Sequence, residues 1–211
     1  MIKNIVFDFG GVLLNLDYDR TFSALSEVMG IEMTKDSIPA HIYKIMLGYE
    51  KGEINTETFL WNLQKESSKL TPHADKLINA WNAMLLGWNP ARFKFLLDLR
   101  EDYKVYLLSN TNALHLEWVS RDLKKNHAIT DFDNQYFDKT FYSHNMRKRK
   151  PEQGIYDTVT KALNLDPQHT LFIDDLAENV AAARATGWHS VRHDPKDEII
   201  DTLQSYIDNC T

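Results

Sequence analysis

Apolar residues change their spacing along the chain, and those changes divide it. Ile5-Val6-Phe7 is an uninterrupted apolar run that ends at Asp8 and is followed at once by Phe9-Gly10-Gly11-Val12-Leu13-Leu14. A run of this kind, bounded by turn residues, predicts a strand buried on both faces. From Tyr18 the period becomes helical. Tyr18, Phe22, Leu25 and Met29 recur on one face, and Gly30 stands where that helix should stop. Further helices are predicted over roughly 36–49, 56–68 and 74–86, separated by Lys51-Gly52, Ser67-Ser68 and Thr71-Pro72. No strand pattern is evident between Asn15 and Leu86.

A second rhythm begins at Asn89-Pro90, which reads as a helix start, with Phe93, Leu96 and Leu97 as its apolar face. Val105–Leu108 reads as a strand ending in Ser109-Asn110-Thr111-Asn112, and the stretch from Lys139 to Tyr142 as another, ending at Ser143. Pro151 opens a helix with Ile155, Tyr156, Val159 and Leu163 inward. Thr170–Ile173 is a fourth strand and runs into Asp174-Asp175. An alanine-rich helix ending at Gly187, a short strand near Ser190–Arg192 and a helix carrying Ile199, Ile200, Leu203 and Ile207 complete the pattern. Such alternation predicts an α/β fold, a parallel sheet with helices on both faces. The expected organisation is a Rossmann-like core from residues 1–14 and 87–211, with an all-helical, four-helix insert over 15–86.

Polar residues stand at the C-terminal ends of four of these strands: Asp8, Ser109, the region around Lys148–Lys150, and Asp174-Asp175. In open parallel sheets such ends converge on one crevice. Three carboxylates there can hold Mg²⁺, which prefers hard oxygen ligands. A hydroxyl and a lysine can hold phosphoryl oxygens, and a carboxylate can attack phosphorus to form an aspartyl-phosphate. Taken singly, Asp8 is equally well a strand-end turn residue; the ordered set is what points to chemistry.

Composition narrows the field. At 211 residues the chain suits one large domain or a core with a modest insert. A formal charge of −6 argues against general nucleic-acid binding, with Arg147-Lys148-Arg149-Lys150 the single basic run. The one cysteine, Cys210, excludes an intrachain disulfide and a cysteine metal cluster, which fits a reducing compartment. The N-terminus lacks the shape of a signal peptide and no stretch is long enough for a membrane span, so the expected location is cytoplasmic, with no membrane partner.

The strand-end residues resemble the motifs of the haloacid dehalogenase-like hydrolases, mostly Mg²⁺-dependent phosphatases. Phe7-Asp8-Phe9-Gly10-Gly11-Val12-Leu13 matches the first motif and implies Asp8 as nucleophile. Leu108-Ser109-Asn110-Thr111-Asn112 matches the second, implying substrate binding by Ser109 and Asn110. Arg149-Lys150-Pro151-Glu152 matches the third, where a lysine neutralises phosphate and nucleophile. Asp174-Asp175 matches the acidic fourth motif and implies metal binding with Asp8 and the carbonyl of Gly10. The helical insert corresponds to a cap placed directly after the first motif. Within the family the chain is similar to the bacterial α-D-glucose-1-phosphate phosphatases and the phosphatase domain of soluble epoxide hydrolase, through residues 108–112, Tyr49-Glu50-Lys51-Gly52-Glu53-Ile54 and Phe9-Gly10-Gly11. The resemblance implies hydrolysis of a small phosphorylated metabolite, with a sugar-1-phosphate as the candidate. Two alternatives stand beside it. A 2-haloacid dehalogenase needs no metal and no paired carboxylate, so Asp174-Asp175 disfavours it. A catalytically weak relative could bind a phosphorylated ligand, but would not need Asp8.

Two positions depart from the family pattern. Most of its phosphatases carry a second Asp two residues after the nucleophile, where this chain has Gly10. The general acid–base work done there is typically worth about 10²–10⁴-fold. The glucose-1-phosphatase-like members share the glycine, and an anomeric oxygen leaves as a less basic alkoxide than a simple alcohol. Asp17, Glu53 and His115 could supply an acid, but read better as a hinge or helix N-cap residue, a solvated turn carboxylate and a surface helix residue. The second departure is Arg147, where relatives carry glycine; Lys150 is expected to point inward and the other basic residues outward. Among the insert aromatics Tyr43, Tyr49, Trp61, Trp81 and Trp88, packing is the default role, and Tyr49, beside the turn at 50–52, is the one read as touching substrate. Asn179 is either a group orienting the site or a helix-start residue.

Overall fold

A computed structural model describes residues 1–210, the side chains of residues 209 and 210 excepted. Cys210, noted above for its cysteine chemistry, thus has its side chain outside the described residues.

Five parallel strands form the central sheet: β1 (Asn4–Phe7), β4 (Lys104–Ser109), β5 (Lys139–Tyr142), β6 (Thr170–Asp174) and β7 (His189–Arg192), in the order β5-β4-β1-β6-β7. The side chains of β1 alternate between two separate cores, although both faces are apolar. Ile5 and Phe7 join Val105, Leu107, Leu171 and Ile173 beneath α5 (Ala91–Asp102) and α11 (Ile199–Cys210), which contribute Phe93, Leu96, Ile199 and Leu203. Val6 joins Tyr106, Leu108 and Phe172 under α9 (Gln153–Leu163) and α10 (Ala177–Ala185), where Ile155, Tyr156, Val159 and Ala183 face them. Helices on both faces are the arrangement a doubly apolar strand demands.

The register then sets the site. Phe7 pairs with Leu107 on one side and Ile173 on the other, and Asp8 N–H donates to the Ile173 carbonyl at 2.8 Å. One residue further along each strand, Asp8 therefore lies level with Asp174, and Ser109 ends the neighbouring strand.

Residues 18–82 carry four helices: α1 (Tyr18–Met29), α2 (Ala40–Glu50), α3 (Thr56–Glu66) and α4 (Ala74–Asn82). They enclose a core of their own, with Phe22, Leu25, Met29, Ile42, Phe59, Leu63, Leu77 and Trp81 among its members. Asp17 caps α1 by accepting from Asp19 N–H, and Gly30 ends it at φ 69°, where glycine is favoured. The entry and exit of this segment are stitched together by β2 (Asn15–Leu16) and β3 (Leu85–Gly87), an antiparallel pair. Neither was expected: two and three residues are too few to display an alternation. The second helix starts at Ala40, not near 36, because Thr34 and Ser37 pair across a tight turn and Pro39 precedes the first helical residue. The fourth ends at Asn82, before the extended Leu85–Gly87. Beyond the expected elements the chain also forms α6 (Ala113–His127), α7 (Phe132–Tyr136) and α8 (Ser143–Met146). Among the described residues no helix is long and apolar enough to cross a membrane.

Candidate active site

Lys150 is the hub. Its side chain is fully buried, and Nζ lies 2.6 Å from Asp8 Oδ1 and 2.6 Å from Asp174 Oδ2. Burial would discharge the ammonium, but Asp174 and Asp8 more than offset it and hold the lysine protonated. The backbone of Lys150 is held in turn by Asn110, whose Nδ2 donates to the Lys150 carbonyl and whose Oδ1 accepts from the Lys150 N–H, each at 2.9 Å. Asn110 was expected to bind substrate. It borders the cavity, but both ends of its amide are engaged in positioning the lysine.

Asp8, Asp174 and Asp175 each offer a carboxylate oxygen, and these oxygens lie within 4.8 Å of one another. Three carboxylates around one ammonium leave an excess of negative charge in a largely buried place. Burial pushes Asp8 well above the usual carboxylate range; Lys150 lowers it and Asp174 raises it further. Asp175, raised by burial and by Asp174, is pushed up to about 6. Such a donor set of hard oxygens, short of positive charge, fits a divalent cation such as Mg²⁺. Asn179 Nδ2 donates to both oxygens of Asp174, at 2.9 and 3.0 Å, so of its two expected roles the orienting one is seen. Gly11, at φ 78°, has no room for a β-carbon, which would press on the Asp175 carboxyl.

At Gly10, where most family phosphatases carry a second aspartate, a β-carbon would meet the terminal methyl of Leu16 on β2, so a larger residue there requires that side chain to move.

Asp8, Ser109, Lys150 and Asp175 open onto a cavity of about 310 Å³ between the sheet and the helical segment, also bordered by Tyr18, Glu50, His115 and Arg149. Tyr49 does not border it. Its ring stacks on Phe59 at 4.2 Å between centroids and its hydroxyl bonds Thr56 and the Leu114 N–H, so Tyr49 is an interior packing residue and the expected substrate contact fails. Tyr43 does reach the cavity and is about half exposed. Trp61 lies on the surface under Lys65. Trp81 is buried and donates to Asn112, and Trp88 is partly buried against the sheet core and donates to Asp122.

His115 is no surface residue. It is buried, stacked on Trp81, and pushed down to about 4 by burial. The Trp81 carbonyl must accept from Nε2, which leaves Nδ1 to accept from Asn112 Nδ2. Both nitrogens are therefore engaged. Asp17 and Glu53 keep their ordinary readings, a helix cap and an exposed turn carboxylate. Arg147 is exposed and takes φ 53°, the left-handed backbone for which glycine is suited. Arg149 was expected outside, yet it is only partly exposed and pairs with Glu50 at 3.3 Å, its Nε buried without a partner among the described residues.

That pair belongs to a wider seam. Ser143 Oγ donates to the Glu50 carbonyl at 2.6 Å, Lys51 pairs with Glu152 at 3.0 Å, and Gly52 packs against the His144 carbonyl so closely that no β-carbon would fit. Neither Glu50 nor Arg149 carries a signal of its own in the sequence beyond adjacency to Tyr49 and Lys150.

Comparison with known proteins follows the same lines. A family model described as haloacid dehalogenase-like hydrolase matches residues 2–187. A D-ribitol-5-phosphate phosphatase of Bacteroides thetaiotaomicron is 30% identical over 191 residues, 90% of this chain and 91% of the relative. The crystal structure of a family enzyme from that organism, in complex with magnesium and inorganic phosphate, superposes with a TM-score of 0.83 at 32% identity, covering 94% of this chain and 97% of the other. A HAD-like family hydrolase from Porphyromonas gingivalis gives 0.86 at 29% identity, covering 98% of each. With its motifs assembled at the ends of one parallel sheet, the chain belongs to the haloacid dehalogenase-like hydrolases.

Proposed function

We propose that the protein hydrolyses the phosphomonoester of a small sugar or sugar alcohol, with Mg²⁺, through a phosphoenzyme on Asp8. The observation that carries this reading is Lys150 Nζ at 2.6 Å from both Asp8 and Asp174, with Asp175 completing the carboxylate cluster. Asp8, Asp174, Asp175 and the carbonyl of Gly10 would hold the cation. Bound there, Mg²⁺ would shield the anionic nucleophile from an anionic substrate and stabilise the transferring phosphoryl group. The Asp8 carboxylate attacks phosphorus, the ester P–O bond breaks, and water then hydrolyses the aspartyl-phosphate. Ser109 binds phosphoryl oxygens, and Lys150, locked by Asn110, neutralises the anionic oxygens on nucleophile and substrate.

The helical segment 15–86 serves as a cap over the 1–14 and 87–211 core, excluding bulk water from the site. The substrate class rests on the cavity, which suits a molecule of monosaccharide size, and on the ribitol-phosphate activity of the relative. The sugar-1-phosphate and the terminal polyol phosphate are its two candidate forms. No binding of nucleic acid or membrane is assigned, and the compartment we assign is the cytoplasm. A metal-free dehalogenase reading is disfavoured by the paired carboxylates.

The test is phosphate release from a panel of sugar and polyol phosphates plus p-nitrophenyl phosphate, with Mg²⁺ and with EDTA. Turnover that needs Mg²⁺ and disappears in Asp8→Asn is the expected result. Chloride release from 2-chloropropionate without metal, or a folded protein that binds phosphorylated ligands without turning any over, would overturn it.

A further inference from the structure

The reaction leaves a negative oxygen on the departing alcohol, and the position that would ordinarily face it with an acid is Gly10, which has no side chain to offer and lies against Leu16. The donors that border the cavity can be taken in turn. Asn110 has both ends of its amide on Lys150, and His115 has both ring nitrogens engaged. Lys35 and Tyr43 are exposed. Asn179 donates to Asp174, Lys150 is bound to Asp8 and Asp174, and Arg149 is paired with Glu50, its remaining Nε buried. Ser109 and Thr111 belong to the strand end assigned above to the phosphoryl group. Tyr18 is the donor that the helical segment brings to the cavity without a partner of its own among the described residues.

Tyr18 is the first residue of α1, directly after the capping Asp17, so its backbone is set by the hinge itself. Its ring packs against both the sheet core and the core of the helical segment, which places it on the seam between them. It borders the same cavity as Asp8, Lys150 and Asp175. No hydrogen bond among the described residues engages its hydroxyl. Burial, Asp175, Asp8, Glu50 and Asp174 all act to keep the phenol protonated, so it can only donate to a developing anion.

We propose that Tyr18 is a catalytic residue that donates a hydrogen bond to the leaving oxygen of the substrate, in place of the acid that Gly10 does not supply. The inference rests on the phosphatase reading above. As Asp8 Oδ bonds to phosphorus, the ester bond breaks and its electron pair stays on the alcohol oxygen. Tyr18 O–H stabilises that charge and keeps its own proton. The oxygen takes its proton from a water molecule, and the hydroxide so formed attacks the phosphorus of phospho-Asp8, returning the free carboxylate and releasing phosphate. A preplaced donor to a developing oxyanion is typically worth about 10²–10³-fold.

Tyr18→Phe removes only the donor. The expected result is that kcat/KM falls about 10²-fold on a phosphate ester of an aliphatic alcohol but less than about tenfold on p-nitrophenyl phosphate, whose leaving group needs little help. Retained aryl turnover would show that the variant folds and that the phosphatase reading holds independently of Tyr18. Equal losses on both substrates would make Tyr18 a packing residue and overturn the proposal. So would an undiminished rate on the aliphatic ester, or a leaving-group-dependent loss found in Arg149→Lys and not in Tyr18→Phe. A second measurement needs no variant: wild-type rates across esters of graded leaving-group basicity should fall only shallowly, and a steep fall would refute the donor.

Discussion

His115 offers a stability prediction that can be worked through in numbers. Its ring lies in a buried network in which Nε2 donates to the Trp81 carbonyl at 3.2 Å and Nδ1 accepts from Asn112 Nδ2 at 3.1 Å. The orientation of Asn112 is set by its Oδ1, which accepts from both Trp81 Nε1 and the His115 N–H. A proton arriving at Nδ1 would therefore face an amide donor, in a buried place. Burial accordingly holds the ring at about 4, against 6.5 when unfolded. The unfolded chain binds this proton first as pH falls, so the folded state loses stability through the window from 6.5 down to about 4 and loses no more below it. Linkage over that gap amounts to about 2.4 kcal/mol between pH 7 and pH 4.5, and about 3.4 kcal/mol at its limit.

The assay is urea unfolding of wild type and His115→Gln at both pH values. Other titrating groups act on both proteins and cancel in the difference. Glutamine cannot titrate, so the variant, less stable at pH 7 for its lost contacts, should lose about 2 kcal/mol less than wild type on acidification. Equal losses would refute the claim that a neutral, buried ring joins the helical segment to α6.

Two further outcomes follow from the site and its seam. Asn179→Leu removes the amide that donates to both oxygens of Asp174 and should weaken Mg²⁺ affinity about 10–100-fold, read by calorimetric titration, while the thermal midpoint in EDTA changes far less than the affinity does. Gly52→Ala adds a β-carbon where the His144 carbonyl sits, in a left-handed backbone at φ 64°. It should cost about 1–3 kcal/mol and raise KM as the Glu50–Arg149 and Ser143–Glu50 contacts loosen, checked by denaturation and steady-state kinetics.

Asp8, Ser109 and Asp174-Asp175 were legible in the chain because each is a polar interruption at the end of an apolar run, whereas Lys150 lies eight residues past the end of β5, beyond α8, and was placed by its likeness to the third motif. In a parallel sheet all such ends lie on one side. The α/β order was legible for the same reason: a strand buried on both faces and a one-sided helix leave different spacings of apolar residues. The helical segment from Tyr18 onward, its cap at Asp17 and its stop at Gly30 are local matters of spacing and terminus chemistry, and local interactions are what a sequence displays.

What the tertiary structure alone decided are the contacts that join distant segments. Tyr49 carries the same local signature as a surface aromatic, and only the stacking of α2 on α3 turns it inward onto Phe59. His115 reads as an ordinary helix residue until α4 brings Trp81 over it. The pairing of Glu50 with Arg149 and the placement of Leu16 against Gly10 join residues whose neighbours in sequence give no hint of each other. The two- and three-residue strands that close the hinge are stable only because they find one another across the whole helical segment. Periodicity reports which face of an element is buried, although Leu97, expected on the apolar face of α5, is left exposed while Phe93 and Leu96 are buried. It does not report what the face is buried against, and the shape of a substrate cavity depends on that second quantity.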